Sequence, residues 1–267
     1  MAIYVIADLH LSFSQNKPMD IFGNNWENHA EKIRNNWIKK VKQDDYVILP
    51  GDFSWATYIE DTKLDFSYLN SLPGRKILLK GNHDYWWTTL ASMRKFVKEN
   101  EFENIDFLYN NSYLVENKII VGTRGWNILD SEDDKKMIKR ETARLELSIK
   151  DGIQKYGSER EIIAFLHYPP ITQNNLNKLE NREFINMLKK YNIKRCYYGH
   201  LHGQSHKDAV TGIIDGIEYK LISADYLNFD LQLIWVKNID FRACNIYNLW
   251  YNNMAICTNE KKVNKNK

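Results

Sequence analysis

Lys76-Ile77-Leu78-Leu79 runs directly into Lys80-Gly81-Asn82-His83-Asp84, an apolar stretch that ends at a turn loaded with polar groups. A short apolar run bounded by Gly fits a strand buried on both faces. Gly81 allows the chain to bend there without a Cβ clash. An amide, an imidazole and a carboxylate follow in succession, a trio that few structural needs place at a strand end. Four other strand-like runs close in the same manner. Ala2-Ile3-Tyr4-Val5-Ile6-Ala7 ends at Asp8-Leu9-His10, and side chains two apart on an extended segment face the same way. Tyr46-Val47-Ile48-Leu49-Pro50 ends at Gly51-Asp52, and Ile162-Ile163-Ala164-Phe165-Leu166 ends at His167. Arg195-Cys196-Tyr197-Tyr198 ends at Gly199-His200-Leu201-His202. In α/β folds, ligands gather at the carboxyl ends of strands.

Helical patterns lie between these runs. Trp26, Ala30, Ile33, Trp37 and Val41 form one apolar stripe. A helix is expected over 57–72, closed by Pro73-Gly74, and another from a cap at Thr88 or Thr89 to about Glu99. From Ile105 to Gly122 two or three short β-like runs sit close together, with a hairpin turn expected at Glu116-Asn117. Charged helices follow over about 131–156 and 182–190, and two further β-like stretches over 212–223 and 230–236. The spacing predicts one α/β domain over 1–236 with a C-terminal extension over 237–267. The polar, basic end of that extension, from Asn259, is expected to be disordered.

The bulk numbers set limits. The 267 residues are 43% hydrophobic and 27% charged, as in a globular protein, and the net charge is only +3. That charge makes no electrostatic case for nucleic acid or a membrane surface. No apolar run reaches the ~18 residues a membrane-spanning helix needs. Three cysteines at no metal-ligand spacing, with no signal peptide at Met1, point to the cytoplasm.

Taken singly, most of these strand ends are ordinary. A strand-end Asp is more often a turn residue, and Gly51-Asp52 alone is a common turn. Paired histidines at a strand end are costlier, yet Gly199-His200-Leu201-His202 alone only balances a metal site against a loop. Jointly they are another matter, because five of the seven histidines fall in these segments. Mixed nitrogen and oxygen donors suit Mn, Fe or Zn rather than Ca or Mg. There are too many for one tetrahedral ion, and they suit two.

In order along the chain, Asp-x-His, Gly-Asp, Gly-Asn-His-Asp, His and Gly-His-x-His resemble the calcineurin-like metallophosphoesterase superfamily, in particular its stand-alone bacterial phosphohydrolases. The blocks run from Asp8 to His202. The resemblance implies a four-layer α/β/β/α sandwich of two mixed β-sheets flanked by helices. It also implies a binuclear centre of divalent transition-metal ions, with Mn favoured over Fe or Zn. Carried over, Asp8, His10, Asp52 and His202 would hold one ion. Asp52, Asn82, His167 and His200 would hold the other, with Asp52 as the bridge. The reaction implied is hydrolysis of a phosphate mono- or diester by a metal-bridging hydroxide. His83 would be the general acid and Asp84 the group orienting it.

The departures narrow the substrate. The protein phosphatases of that superfamily continue Gly-Asp into Asp-Arg-Gly and place Arg before Gly-Asn-His-Glu. Here Phe53-Ser54-Trp55 follows Asp52, Lys80 precedes Gly81, and Asp84 replaces Glu. A small phosphate ester, such as a nucleotide, is therefore expected rather than a phosphoprotein. Arg124 is a candidate contact for a substrate phosphate, weighed evenly against a surface arginine. Trp55 and Trp126 are candidate pocket walls able to stack a base, while most neighbouring aromatics read as core. His29 reads as packed on a helix face and His206 as a solvent-facing loop residue. A metal-dependent nuclease, disfavoured by the charge, and a phosphoprotein phosphatase, disfavoured by those departures, are the alternatives. A non-catalytic scaffold is the last, disfavoured because no ligand block is broken.

Overall fold

A computed structural model of the chain describes residues 1–15, 17–127, 131–176 and 183–237. The chain divides into two compact units, Met1–Trp235 and Val236–Lys267, and every candidate site residue lies in the first. Apart from Lys237, the extension expected over 237–267, its tail, Cys244 and Cys257 lie outside the described residues.

One sheet holds β1 (Ala2–Val5), β2 (Tyr46–Pro50), β3 (Arg75–Leu79), β4 (Ile105–Phe107) and β11 (Gln232–Val236), in the order β11-β1-β2-β3-β4. Strands β1 to β4 are parallel. The second sheet holds β5 (Tyr113–Val115), β6 (Lys118–Thr123), β7 (Glu161–Leu166), β8 (Arg195–Tyr198), β9 (Gly212–Ile214) and β10 (Ile217–Leu221). Its order is β5-β6-β7-β8-β10-β9, parallel at the centre with an antiparallel strand at each edge.

Alternation along each strand makes three apolar cores from these two sheets. Ile77 and Leu79 of β3 point inward with Ile3, Val5 and Ile48, and there they meet Ile120, Ile163, Phe165 and Tyr197 of the second sheet. Leu78 points the other way, onto α1 (His29–Lys40), α2 (Lys63–Ser71) and α3 (Leu90–Glu99), through Ile33, Trp37, Phe66, Leu69 and Met93. The outer face of the second sheet is covered by α4 (Glu132–Tyr156) and α5 (Glu183–Lys190), through Ile138, Leu145, Ile149, Phe184 and Leu188. The chain thus forms the expected α/β/β/α sandwich. Burial on both faces is why its central strands read as continuous apolar runs.

The helix caps follow the sequence. Thr89 accepts a bond from Ser92 N at 3.2 Å, and Ser131 accepts one from Asp134 N at 3.1 Å. Two local expectations change. The helix expected over 57–72 starts only at Lys63, because Glu60–Thr62 is a separate 3-10 turn. The short runs between Ile105 and Gly122 form as expected, with β5 and β6 joined by a hairpin at Glu116-Asn117 in the second sheet, while β4 pairs with β3 in the first. The stretch 212–223 is a hairpin rather than one strand. Its turn residues Asp215 and Gly216 have φ of 52° and 77°, as a tight two-residue turn requires.

The two sheets are stitched at their carboxyl ends. Ala7 N donates to Ile222 O at 2.9 Å, and Ala224 N donates to Ala7 O at 3.0 Å. The loops leaving β1, β2, β3, β7 and β8 therefore converge on one place.

Candidate metal centre

Backbone bonds carry the β1–β2 pairing past the strand ends and set the first carboxylates side by side. Asp8 N donates to Gly51 O at 2.9 Å, and His10 N donates to Asp52 O at 3.0 Å. Asp8, His10, Asp52 and His200 all adopt left-handed backbone, with φ of 62°, 46°, 51° and 73°. Such conformations cost about 1 kcal/mol or more each in a non-glycine residue and collect at functional sites. Two glycines make room for the approach. A Cβ on Gly81 would lie 2.0 Å from Asp52 Oδ1, and one on Gly199 would lie 2.4 Å from Asp8 Oδ2. Close packing against Asp52, more than the bend itself, is thus what position 81 demands.

The side chains then face one another. Asp8, His10 and His202 offer ligand atoms that all lie within 4.8 Å of one another, as do Asp8, Asp52 and His167. Asp52 Oδ2 is 3.8 Å from His10 Nε2 and 3.5 Å from His167 Nε2, so one oxygen is close to two histidines. Asn82 Oδ1 is 2.6 Å from His167 Nε2 and 2.8 Å from His200 Nδ1. His202 Nε2 is 3.4 Å from His10 Nε2 and 3.6 Å from Asp8 Oδ1.

This arrangement fits cations. Asp8 Oδ1 is buried and has no hydrogen-bond partner. Pro50 O lies 3.1 Å from His167 Nδ1, which leaves Nε2 to the interior of the cluster. Asp225 Oδ1 lies 2.8 Å from His202 Nδ1 and does the same for that ring. Burial holds the imidazoles of His10 and His167 below their ordinary range and His200 down to about 3, so they stand in the neutral form that ligates. Burial and the Asp8 charge push the Asp52 carboxyl up to about 8. Against the cost of burial, Asp8 and Asp225 raise His202 to about 10.

Some expected roles change. Asp84 does not hold the His83 ring. Its carboxylate accepts from Gly81 N at 2.7 Å, Asp52 N at 2.9 Å, Phe53 N at 2.9 Å, Ser54 N at 3.2 Å and Trp86 Nε1 at 3.0 Å. It is a latch between the two loops that carry Asp52 and Asn82. The His83 Nδ1 has no hydrogen-bond partner. Its backbone N donates to Asp52 Oδ1 at 2.8 Å, and its ring lies 4.3 Å from that of Trp55. Burial and the nearby His167 hold its imidazole down to about 4.

Trp55 walls the site but is already engaged. His10 stacks on it at 4.9 Å, and Lys17 Nζ lies 3.0 Å from its centroid, so it is no open platform for a base. Trp126 donates to Asp134 Oδ1 at 2.9 Å and lies beside Arg124 and Tyr168, on the His200 side. Arg124 O accepts from His167 N at 3.1 Å, which ties that residue to the centre through its backbone. His29 packs against Trp26, as expected. His206 departs from expectation, its Nε2 lying 3.2 Å from Asp225 Oδ2. Asp225 itself was missed, because it follows Ser223-Ala224 in a turn with no neighbouring block to mark it.

Residues 1–204 match the calcineurin-like phosphoesterase family. The chain belongs to that family. Metal-dependent hydrolysis of phosphoric esters goes with this membership. Two solved structures are similar in fold. A phosphopantetheinyl hydrolase from Mycobacterium tuberculosis is 14% identical, with a TM-score of 0.51 over 88% of this chain and 96% of that one. TT1561 of Thermus thermophilus is 14% identical, with a TM-score of 0.54 over 89% of this chain and 100% of that one. None of the curated proteins compared matches the chain in sequence. Among the described residues no helix is long and apolar enough to cross a membrane.

Proposed function

We propose that the chain hydrolyses a small phosphate mono- or diester in the cytoplasm at a centre of two transition-metal ions, manganese first among them. Asp8, His10, Asp52 and His202 would hold one ion, and Asp52, Asn82, His167 and His200 the other. The observation that carries this reading is Asp52 Oδ2, close to both His10 Nε2 at 3.8 Å and His167 Nε2 at 3.5 Å. When bound, the ions supply Lewis-acid charge to the phosphoryl group and acidify the attacking water.

The chain's own residues do the rest. Asp84 fixes the backbone of the loop that carries Asp52, the carboxylate that would bridge the ions. Asp225 fixes His202 through Nδ1. His83, held against Trp55, would give the proton to the departing oxygen. Its imidazole is neutral in this environment, and the negative charge of a bound phosphate is what would raise it into the working range. A small ester is favoured over a phosphoprotein because Lys80 stands where protein phosphatases carry Arg.

The test is metal content and turnover together. Reconstituted protein should carry two manganese equivalents by mass spectrometry and hydrolyse p-nitrophenyl phosphate. Asp52→Asn should bind less metal and lose at least 100-fold in kcat while keeping its circular dichroism. A wild type with less than one equivalent, or an Asp52→Asn variant with full activity, refutes the bridge.

A further inference from the structure

Beside the metal centre, the carboxyl ends of β3, β4 and β6 and the inner face of α4 enclose a cavity of about 80 Å³. Four cationic side chains line it, Lys80, Arg124, Arg140 and Arg144, against one carboxylate, Glu141. That carboxylate is buried and shared. Its Oε2 accepts from Thr123 Oγ1 at 2.6 Å. Its Oε1 is 3.9 Å from Arg124 Nη2, 3.6 Å from Arg140 Nη2 and 3.7 Å from Arg144 Nε, beyond a good hydrogen bond to any of them. Arg124 Nε is buried with no hydrogen-bond partner. Gathering like charges around a concavity is unfavourable unless an anion enters, and guanidinium forks suit phosphate oxygens.

The cavity lies at the strand-end edge that carries the centre, since Leu79 closes β3 and Thr123 closes β6. Lys80 is two residues, at most about 7 Å of chain, from Asn82. Arg124 O accepts the His167 N–H at 3.1 Å. The cavity sits one to two strand spacings from the centre, about 5–10 Å. Resting on the phosphoesterase reading above, we propose that this cavity receives a second phosphoryl group of the substrate. The substrate class is then a bisphosphorylated small molecule whose two phosphates are separated by a sugar-sized spacer. One phosphate is hydrolysed at the centre, while the other is held by Arg124, Arg140, Arg144 and Lys80.

Two measurements test it. The first is calorimetric binding of inorganic phosphate to the metal-free protein, wild type against Arg140→Gln/Arg144→Gln. The double variant should raise Kd at least tenfold; equal affinities, or no binding by the wild type at millimolar phosphate, overturn the cavity. Arg140→Gln alone, the more exposed position, serves should the double variant fail to fold. The second is turnover by the manganese-loaded enzyme of fructose 1,6-bisphosphate against fructose 6-phosphate. The wild type should favour the bisphosphate at least tenfold in kcat/KM, and the variant less than threefold. A wild-type ratio near one overturns the substrate class. A wild type that hydrolyses neither sugar nor p-nitrophenyl phosphate refutes the hydrolytic reading and the substrate class with it, and phosphate binding still decides the cavity.

Discussion

His202 turns Nε2 toward the cluster, and Asp225, 2.8 Å from Nδ1, holds the ring in that direction. Outer carboxylates of this kind typically contribute 10–100-fold in metal affinity. Asp225→Asn should therefore weaken manganese binding by about that factor with the fold intact, read by competition with a fluorescent chelator; an unchanged affinity would make Asp225 a turn residue only. Asp84 is different in kind. It is fully buried and accepts from four backbone N–H groups and one indole, so its loss unlatches two loops at once. Asp84→Asn should cost about 3 kcal/mol or more in urea unfolding, because an amide cannot accept all five bonds. It should slow activated and unactivated esters alike. His83→Ala, by contrast, should spare p-nitrophenyl phosphate and slow an alkyl phosphate. A loss confined to alkyl esters in Asp84→Asn would restore its sequence-based role as the group orienting His83.

Helix α2 ends over a lysine. Lys76 is only 1% exposed, and its Nζ donates to Leu72 O just past the helix, where orphan carbonyls collect. Burial pushes its ammonium from 10.5 down to about 7. Between those values the unfolded chain binds a proton that the folded chain does not. Stability should therefore rise with pH over that window by about 1.4 kcal/mol per unit, and the full penalty should stand below pH 7. Lys76→Met removes the titration and one hydrogen bond worth about 1 kcal/mol. Urea unfolding at pH 6.5, 8 and 9.5 should show the variant's advantage shrinking as pH rises; parallel curves would show that Lys76 does not titrate in the fold. The same element shows what sequence can reveal. Strands β1, β2, β3, β7 and β8 were legible because they are apolar on both faces and stop at dense polar blocks, and five of those blocks supply the centre. The split of 105–122 between two sheets was not, because three-residue strands carry no mark of which sheet they join. Arg140, Glu141 and Arg144 look like a solvated helix face in sequence; only the neighbouring ends of β3 and β6 turn them into the wall of a cavity.

At the scale of the molecule, the centre joins the two sheets. Asp8, His10, Asp52 and Asn82 come from loops of the first, and His167, His200 and His202 from loops of the second. Ions bound across that seam, as proposed, would stabilise the folded state by mass action, about 2.7 kcal/mol per site at a hundredfold excess over Kd. For a chain of this size that is roughly 5–10 °C per site in Tm. The protons set how this gain depends on pH. In the metal-free fold burial and the Asp8 charge push the Asp52 carboxyl up, and Asp8 and Asp225 raise His202, so a proton on either group would have to leave before that group could ligate. Binding would then compete with protons, and affinity should fall as pH falls. Melting curves with limiting manganese and with chelator, recorded in pairs at each pH, isolate this term from the rest of the fold's pH response. The manganese-induced rise in Tm should be large at pH 8 and less than half as large at pH 6. Equal rises at both values would mean that the ions bind without displacing those protons, and that Asp52 is no bridge between the sheets.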